Sequence, residues 1–148
     1  MMRKFIMTFI FCLCGIGVIR GQKIKEDLCN DSTWNKLLQA IIYVESRGNL
    51  HAISSDGKSV GILQITPILV KDCNIYLKSK GQSKRYTLQD RHSRKKSIEM
   101  FFLVQSRYNP ERNIEKAIRL WSGGPKYSTK ATQKYYERVM KKYKEENT

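Results

Sequence analysis

Residues 32–67, STWNKLLQAIIYVESRGNLHAISSDGKSVGILQITP, decide the fold of this chain. Apolar residues recur at helical spacing through the first part of this stretch, and Gly48 and Asn49 follow as helix-stop signals. The members of this apolar stripe are Trp34, Leu37, Leu38, Ile41, Ile42 and Val44. The pattern predicts an amphipathic helix that carries Glu45 at its C-terminal end.

A turn-rich loop follows this predicted helix. Asp56-Gly57 is typical of a tight turn, and residues 60–65 (VGILQI) fit either a buried strand or an extended loop. Gly61 would allow the backbone to approach a ligand or a neighbouring helix closely. Thr66-Pro67 has the chemistry of an N-cap followed by a first helical residue, so we expect a second helix to begin here.

Glu45 is the residue in this stretch that is best suited to acid–base chemistry. It follows Leu38 and Ile41 by seven and four residues, so it lies at the rim of the apolar stripe. The unpaired carbonyls and negative dipole of a helix C-terminus disfavour a charged carboxylate, and partial burial acts in the same direction. We therefore predict a raised pKa for Glu45, as a general acid requires. A surface glutamate that merely ends a helix is the alternative.

Further helices are expected from the periodicity of the remaining chain. Ser93 can cap a helix through Arg107, Asn109-Pro110 ends it, and two more helices are predicted over about residues 113–121 and 129–144. The sequence thus predicts a mainly α, compact single domain with a small irregular or β segment after the first helix.

The N-terminal residues are typical of an export signal. Residues 1–21 combine a basic start with a short apolar core and small residues, so we expect a signal peptide at 1–21, a domain at 22–148, and a periplasmic or secreted protein. The apolar run is too short and glycine-rich for a stable membrane span. Loss of Arg3, Lys4 and Arg20, with no acidic residue, lowers the net charge from +15 to +12. A charge of this size favours polyanions, and export makes a cell wall the expected partner, with no nucleic acid.

Two cysteines remain after the predicted signal. In an oxidising compartment, Cys29 and Cys73 are expected to form a disulfide that closes a loop and stabilises the fold by about 4 kcal/mol. Two buried thiols are the alternative.

Several catalytic chemistries lack the residues that they need. His51 and His92 have no acidic partner at ligand spacing, and no glycine loop has a phosphate-binding spacing, so we expect no metal and no cofactor. The lysines are spread along the chain rather than gathered on one element. Acid–base chemistry by a glutamate remains. Ordinary glycoside hydrolysis needs a second carboxylate. The candidates are Asp56, Asp72 and Asp90, and no neighbouring sequence feature marks any of them as catalytic.

Three blocks of the chain resemble the lytic transglycosylases, the lysozyme-like soluble-transglycosylase domain family. The first comprises Glu45-Ser46, Asn49, Ala52, Ser54, Gly57, Gly61-Ile62-Leu63-Gln64 and Pro67. The second is residues 120–125 (LWSGGP), and the third is residues 132–139 (TQKYYERV). The chain departs from the family pattern by one extra residue between Gly57 and Gly61, and by Trp121-Ser122 where Tyr-Asn is typical.

The resemblance implies a lysozyme-like α+β fold and a single-glutamate mechanism. Glu45 would protonate the bond between N-acetylmuramic acid and N-acetylglucosamine, and then assist attack by the C6 hydroxyl to give 1,6-anhydromuramic acid. Ser54, Gln64 and Tyr135 would orient the sugar, its acetamido group or Glu45, and Trp121 would stack on a sugar or donate one hydrogen bond. Ordinary structural roles, in a turn, a loop or a helix core, are the alternatives for these four residues.

Peptidoglycan glycan strands are therefore the expected substrate. We expect a monomer that acts alone or with a secretion or conjugation machine. The alternatives are a lysozyme-type muramidase, in which Asp56 or Asp90 positions water, and an inactive wall-binding component of a secretion apparatus. A nucleic-acid binder is a more distant alternative.

Overall fold

A computed structural model describes residues 31–145, and within them the chain is mainly helical. Residues 31–145 form five α-helices and one 3-10 helix (Leu88–His92). The α-helices are α1 (Ser32–Ser46), α2 (Pro67–Ser79), α3 (Arg94–Tyr108), α4 (Ile114–Gly123) and α5 (Thr129–Glu145). The predicted mainly α fold is confirmed, and no helix of residues 31–145 has the length and apolar character needed to cross a membrane.

Short polar side chains fix where the helices begin. Asp31 caps α1 by accepting a hydrogen bond from the Thr33 amide. Ser93 and Asn113 cap α3 and α4 in the same manner, and Thr66 caps α2 ahead of a proline. These are the residue types that satisfy the free amides of a first helical turn, so the predicted helix starts are confirmed.

Helix α1 lies at the centre of the core and packs along α5. Its buried side chains are Trp34, Leu37, Leu38, Ala40, Ile41 and Ile42. Trp34 contacts Phe101 and Phe102 of α3, with ring centroids 6.5 and 6.4 Å apart. The predicted apolar stripe of α1 is therefore its buried face, and Val44 packs at the edge of the core.

The small β segment consists of two isolated antiparallel bridges, Ile53 with Val60 and Val60 with Ile65. Residues 61–64 form a buried turn between the bridges instead of a strand. Gly61 has a φ of 81°, and a Cβ at this position would lie 2.0 Å from the carbonyl oxygen of Arg91. The close approach predicted for Gly61 is thus confirmed, with the 3-10 helix as its neighbour.

A buried arginine joins α4 to α5. Arg119 is 4% exposed and donates hydrogen bonds to the Thr129 carbonyl, the Thr132 hydroxyl and the Gln133 side chain. It also pairs with Glu115 at 2.7 Å within its own helix. The start of α5 is therefore held in a fixed position relative to α4.

Two of the sequence predictions fall on residues outside the described range. The predicted signal at 1–21 and Cys29 both lie there. Cys73 is buried in α2. The disulfide and the domain boundary therefore stay predictions.

Candidate active site

Glu45 lies in the last turn of α1, facing α5. The helix ends just after it, because Arg47 and Gly48 both take the left-handed backbone conformation, with φ of 53° and 83°. The Tyr135 hydroxyl of α5, ninety residues further along the chain, donates a hydrogen bond of 2.6 Å to Glu45 Oε1. Two residues that the sequence predicted for one site are therefore in direct contact.

The environment of Glu45 favours its protonated form. Burial raises the pKa of the Glu45 carboxyl above its usual range, because a desolvated carboxylate is disfavoured. The Tyr135 hydrogen bond, the positive charge of Arg138 and the indole N–H of Trp121 lower this pKa, but burial outweighs them. The raised pKa predicted for Glu45 is confirmed, with desolvation as its main cause.

Tyr135 is suited to remain a hydrogen-bond donor at every relevant pH. Burial and the negative charge of Glu45 raise the pKa of the Tyr135 hydroxyl well above its ordinary value. The Arg138 guanidinium lies 5.7 Å from the centre of the Tyr135 ring, one helical turn further along α5. Tyr135 therefore holds one oxygen of Glu45, and its own proton stays in place.

Trp121 reaches the same carboxyl from α4. Its ring packs against Phe101 of α3 with centroids 5.1 Å apart, so part of the side chain belongs to the core. Its indole N–H acts on Glu45 as a donor. Because a donated hydrogen bond is stronger when its acceptor is charged, Trp121 favours the ionised form of the Glu45 carboxyl.

The buried turn at 61–64 is tied to the end of α1 by the neighbour of Glu45. Ser46 Oγ donates a 2.8 Å hydrogen bond to the Ile62 carbonyl and accepts one from the Gly48 amide at 3.1 Å. Gln64 has a φ of 47°, and its side-chain amide donates to the carbonyls of Ala52 and Gly61 at 3.2 and 2.9 Å. Gln64 thus stabilises the loop, which is the structural alternative considered for it.

Ser54 has a similar local role. Its hydroxyl donates to Asp56 Oδ1 at 2.6 Å and accepts a hydrogen bond from the Ser59 amide at 2.9 Å. Both bonds stay within the tight turn that contains Gly57. The structure therefore brings Glu45, Tyr135 and Trp121 together, whereas the hydrogen bonds of Ser54 lie within its own turn.

The three candidates for a second carboxylate have other partners. Asp56 caps the turn just described. Asp72 pairs with Arg107 at 2.8 Å and accepts a hydrogen bond from the Tyr108 hydroxyl. Asp90 accepts a hydrogen bond from the Thr87 amide at the start of the 3-10 helix. Each of them stabilises local structure, so none has a geometry that sets it apart as a partner for Glu45.

The histidines are closer in space than their sequence separation suggests. The rings of His51 and His92 lie 6.4 Å apart. Among residues 31–145, however, no group of three or more His, Cys, Asp or Glu side chains could hold a metal ion.

Arg138 and Ser46 are site residues whose roles the sequence did not reveal. Arg138 follows Tyr135 by three positions, which places both on one face of α5, and this spacing was the available signal. Ser46 is part of the Glu-Ser pair of the resemblance, but its partner Ile62 becomes evident only in three dimensions.

Comparison with known proteins agrees with this site. A family model described as Transglycosylase SLT domain matches residues 22–100, more than half of the chain. The match includes Glu45 and the turn at 61–64, and it ends before Trp121 and Tyr135. No curated protein and no solved structure matched the chain. The chain belongs to the transglycosylase SLT domain family, whose activity is of the lytic transglycosylase type, directed at peptidoglycan.

Proposed function

We propose that this protein is a peptidoglycan lytic transglycosylase. It cleaves the β-1,4 bond between N-acetylmuramic acid and N-acetylglucosamine and leaves a 1,6-anhydromuramic acid end. The observation that carries the proposal is the pair of Glu45 and Tyr135, in which a desolvated carboxyl of raised pKa has one oxygen held by a neutral phenol. Glu45 acts first as the acid and then as the base.

The first step is protonation of the glycosidic oxygen. Glu45 gives its proton to the oxygen that leaves with N-acetylglucosamine, and the bond from that oxygen to C1 of the muramic sugar breaks. The Tyr135 hydrogen bond occupies Oε1, so Oε2 is the oxygen that carries the proton towards the substrate. The carbonyl of the substrate's own N-acetyl group stabilises the cation that develops at C1.

The second step uses the same carboxylate as a base. Ionised Glu45 takes the proton of the C6 hydroxyl while O6 forms a bond to C1, which closes the anhydro ring and restores the acid. Tyr135, Arg138 and Trp121 all favour the ionised form that exists between the two steps. One carboxyl then serves both steps, in keeping with the structural roles of Asp56 and Asp90.

The test is digestion of purified sacculi by the wild type and by Glu45→Gln, with mass spectrometry of the released muropeptides. We expect 1,6-anhydro ends from the wild type and a loss of release in Glu45→Gln. Glu137→Gln is the matched control, because it removes the same charge from an exposed position on α5 and should leave the rate unchanged. Release by Glu45→Gln at the wild-type rate would refute the assignment, and reducing muramic ends would identify a hydrolase.

We further propose that the protein is exported to the periplasm or secreted, where its substrate lies. The net charge of +12 that remains once residues 1–21 are removed supports residence on an anionic wall. Fractionation of cells that express the full chain, with N-terminal sequencing of the product, tests both export and the predicted cleavage near residue 21.

A further inference from the structure

A groove with apolar and cationic walls lies between α2 and the chain that leads into the 3-10 helix. It encloses a volume of about 460 Å³. Lys71, Ile75 and Lys78 of α2 line one side, and Arg85 and Leu88 line the other. The residues of the candidate active site are not among those that line it. The proposed chemistry of that site therefore does not account for the groove.

Large apolar side chains are exposed along this surface. Ile75 and Leu88 are each 51% exposed within the groove. Ile68, two helical turns before Ile75 on the same face of α2, is 80% exposed. Single exposed apolar residues are ordinary, but three that share one surface are typical of an interaction site.

The charge of the groove has one sign. Its charged lining residues are Lys71, Lys78 and Arg85, and none of the described residues that line it is acidic. Asp72 of the same helix instead pairs with Arg107 of α3 at 2.8 Å. Lys71 and Lys78 are seven residues apart, which is about 10 Å along a helix axis. A ligand that pairs with both lysines would carry two negative charges at that separation, with an apolar group between them.

The two walls of the groove are fixed relative to each other. The side-chain amide of Asn74 donates a hydrogen bond to the Tyr86 carbonyl, and its oxygen accepts one from the Tyr86 amide, both at 2.8 Å. Arg85 Nη1 donates to the carbonyls of Gln82 and Lys84, each at 2.6 Å, so this cation is held against its own loop. A preformed groove binds a ligand without the entropic cost of ordering its own walls.

We propose that this groove binds an acidic amphipathic segment of a partner protein. Carboxylates of the segment pair with Lys71, Lys78 and Arg85, since ammonium and guanidinium groups bind carboxylates through charge-assisted hydrogen bonds. An apolar side chain of the segment lies between Ile75 and Leu88 and removes them from water. One ligand then satisfies both the charge and the exposed apolar surface.

Other occupants match only part of this surface. A phosphodiester polymer would pair with the cations but leave the apolar side chains in water. Sugars bind well against exposed aromatic rings, whereas Tyr86, the aromatic residue of the groove, is 5% exposed. A flat bilayer does not reach the side chains within a concave surface. A second copy of this strongly basic chain would bring further cations to a cationic surface.

The test is selection of peptides from a displayed random library on the immobilised full chain, followed by binding measurements with the purified peptides. Lys71→Gln/Lys78→Gln is the groove variant, and both lysines are exposed. Lys95→Gln/Lys130→Gln, which removes two exposed charges outside the groove, is the matched control.

We expect the selected peptides to combine acidic with apolar residues and to bind the wild type and the control equally. The groove variant should bind them roughly tenfold more weakly, the size expected for two exposed ion pairs. Ile75→Ser should also weaken binding, because the apolar contact is lost. Selection without enrichment of acidic residues, equal binding by the groove variant, or full binding by Ile75→Ser would overturn the inference.

A photoreactive group in a selected peptide locates its site on the wild type without any substitution. Cross-links should fall on α2 and on residues 85–88, and cross-links confined to other surfaces would overturn the inference. Binding to phosphatidylglycerol vesicles that is lost in the groove variant would overturn it in favour of a membrane site.

Digestion of sacculi separates this inference from the proposed function. The groove variant should digest sacculi at the wild-type rate, and slower digestion would overturn the inference by showing that the groove serves the wall substrate. Peptide binding is measured without catalysis, so failure of the proposed reaction in the wild type leaves the binding result decisive for the groove.

Discussion

Replacement of Gly61 by alanine should destabilise the protein far more than the same change at Gly57. Both glycines have a left-handed backbone, with φ of 81° and 71°. A Cβ at Gly61 would lie 2.0 Å from the Arg91 carbonyl oxygen, whereas a Cβ at Gly57 would have no heavy atom within 4 Å. The pair of variants therefore separates the effect of backbone conformation from the effect of the contact.

The Arg91 carbonyl has little freedom to move away. It accepts a hydrogen bond from Ser97 Oγ at 3.1 Å. The Arg91 guanidinium donates to the carbonyls of Lys58 and Ile65, on either side of Gly61, at 3.2 and 3.3 Å. The 3-10 helix is thus fastened to the loop in the region where the new methyl group would push it away.

The expected magnitudes follow from these two effects. The left-handed conformation costs an alanine about 1 kcal/mol at either position. Overpacking adds about 1–3 kcal/mol, so Gly61→Ala should lower the free energy of unfolding by about 2–4 kcal/mol and Gly57→Ala by about 1 kcal/mol.

Urea denaturation followed by circular dichroism measures both values. One common slope of the unfolding free energy against urea concentration is fitted to the two variants. Gly61→Ala should also lower activity, because Ile62 of the same turn receives the hydrogen bond of Ser46 next to Glu45. Equal stability of the two variants would refute the assigned contact between the loop and the 3-10 helix.

Two further predictions concern the charge of Glu45. Tyr135→Phe removes a hydrogen-bond donor that favours the carboxylate, so the pKa of Glu45 should rise further. The alkaline limb of the pH–rate profile should therefore move to higher pH, and the maximal rate should fall about ten- to a hundredfold. An alkaline limb that stays in place or moves to lower pH contradicts the role of Tyr135. Folding raises the pKa of Glu45, so at a pH between the two pKa values the folded protein holds a proton that the unfolded chain has lost. The free energy of unfolding therefore falls as the pH rises from the ordinary carboxyl pKa through the raised pKa of the folded protein. Glu45→Gln should therefore gain stability relative to the wild type, in urea denaturation, as the pH rises above the ordinary carboxyl pKa of 4.5. A variant that loses stability relative to the wild type as the pH rises contradicts the assignment.

Local features of this fold could be predicted because their causes are local in sequence. Thr66 and Ser93 begin helices because their hydroxyls accept hydrogen bonds from amides three residues further along the chain. The position of Glu45 at a helix end follows from apolar spacing and from the adjacent stop signals. The same reasoning allowed a prediction of its pKa, because a rim position implies partial burial.

Other features depend on contacts between distant segments. The apolar run of residues 60–65 is compatible with both a strand and a loop. The structure has a turn at 61–64, where Gly61 lies against the Arg91 carbonyl of the 3-10 helix, a contact between segments that are distant in sequence. Arg119 illustrates the same limit: an arginine in an amphipathic helix is normally exposed, yet here it is 4% exposed with partners on α5. These partners, Thr132 and Gln133, lie 13 and 14 residues after Arg119, so the local sequence around Arg119 does not identify them.

The buried arginine connects the fold to the chemistry of the site. A mechanism with one carboxyl requires the site to stabilise that carboxyl in both its protonated and its ionised form. Burial among the helices stabilises the acid, while Trp121 from α4 and Tyr135 from α5 stabilise the base. Both donors must therefore reach Glu45 together. Arg119 lies two residues before Trp121 and is hydrogen-bonded to Thr132 and Gln133, so it ties the helix that carries Trp121 to the helix that carries Tyr135.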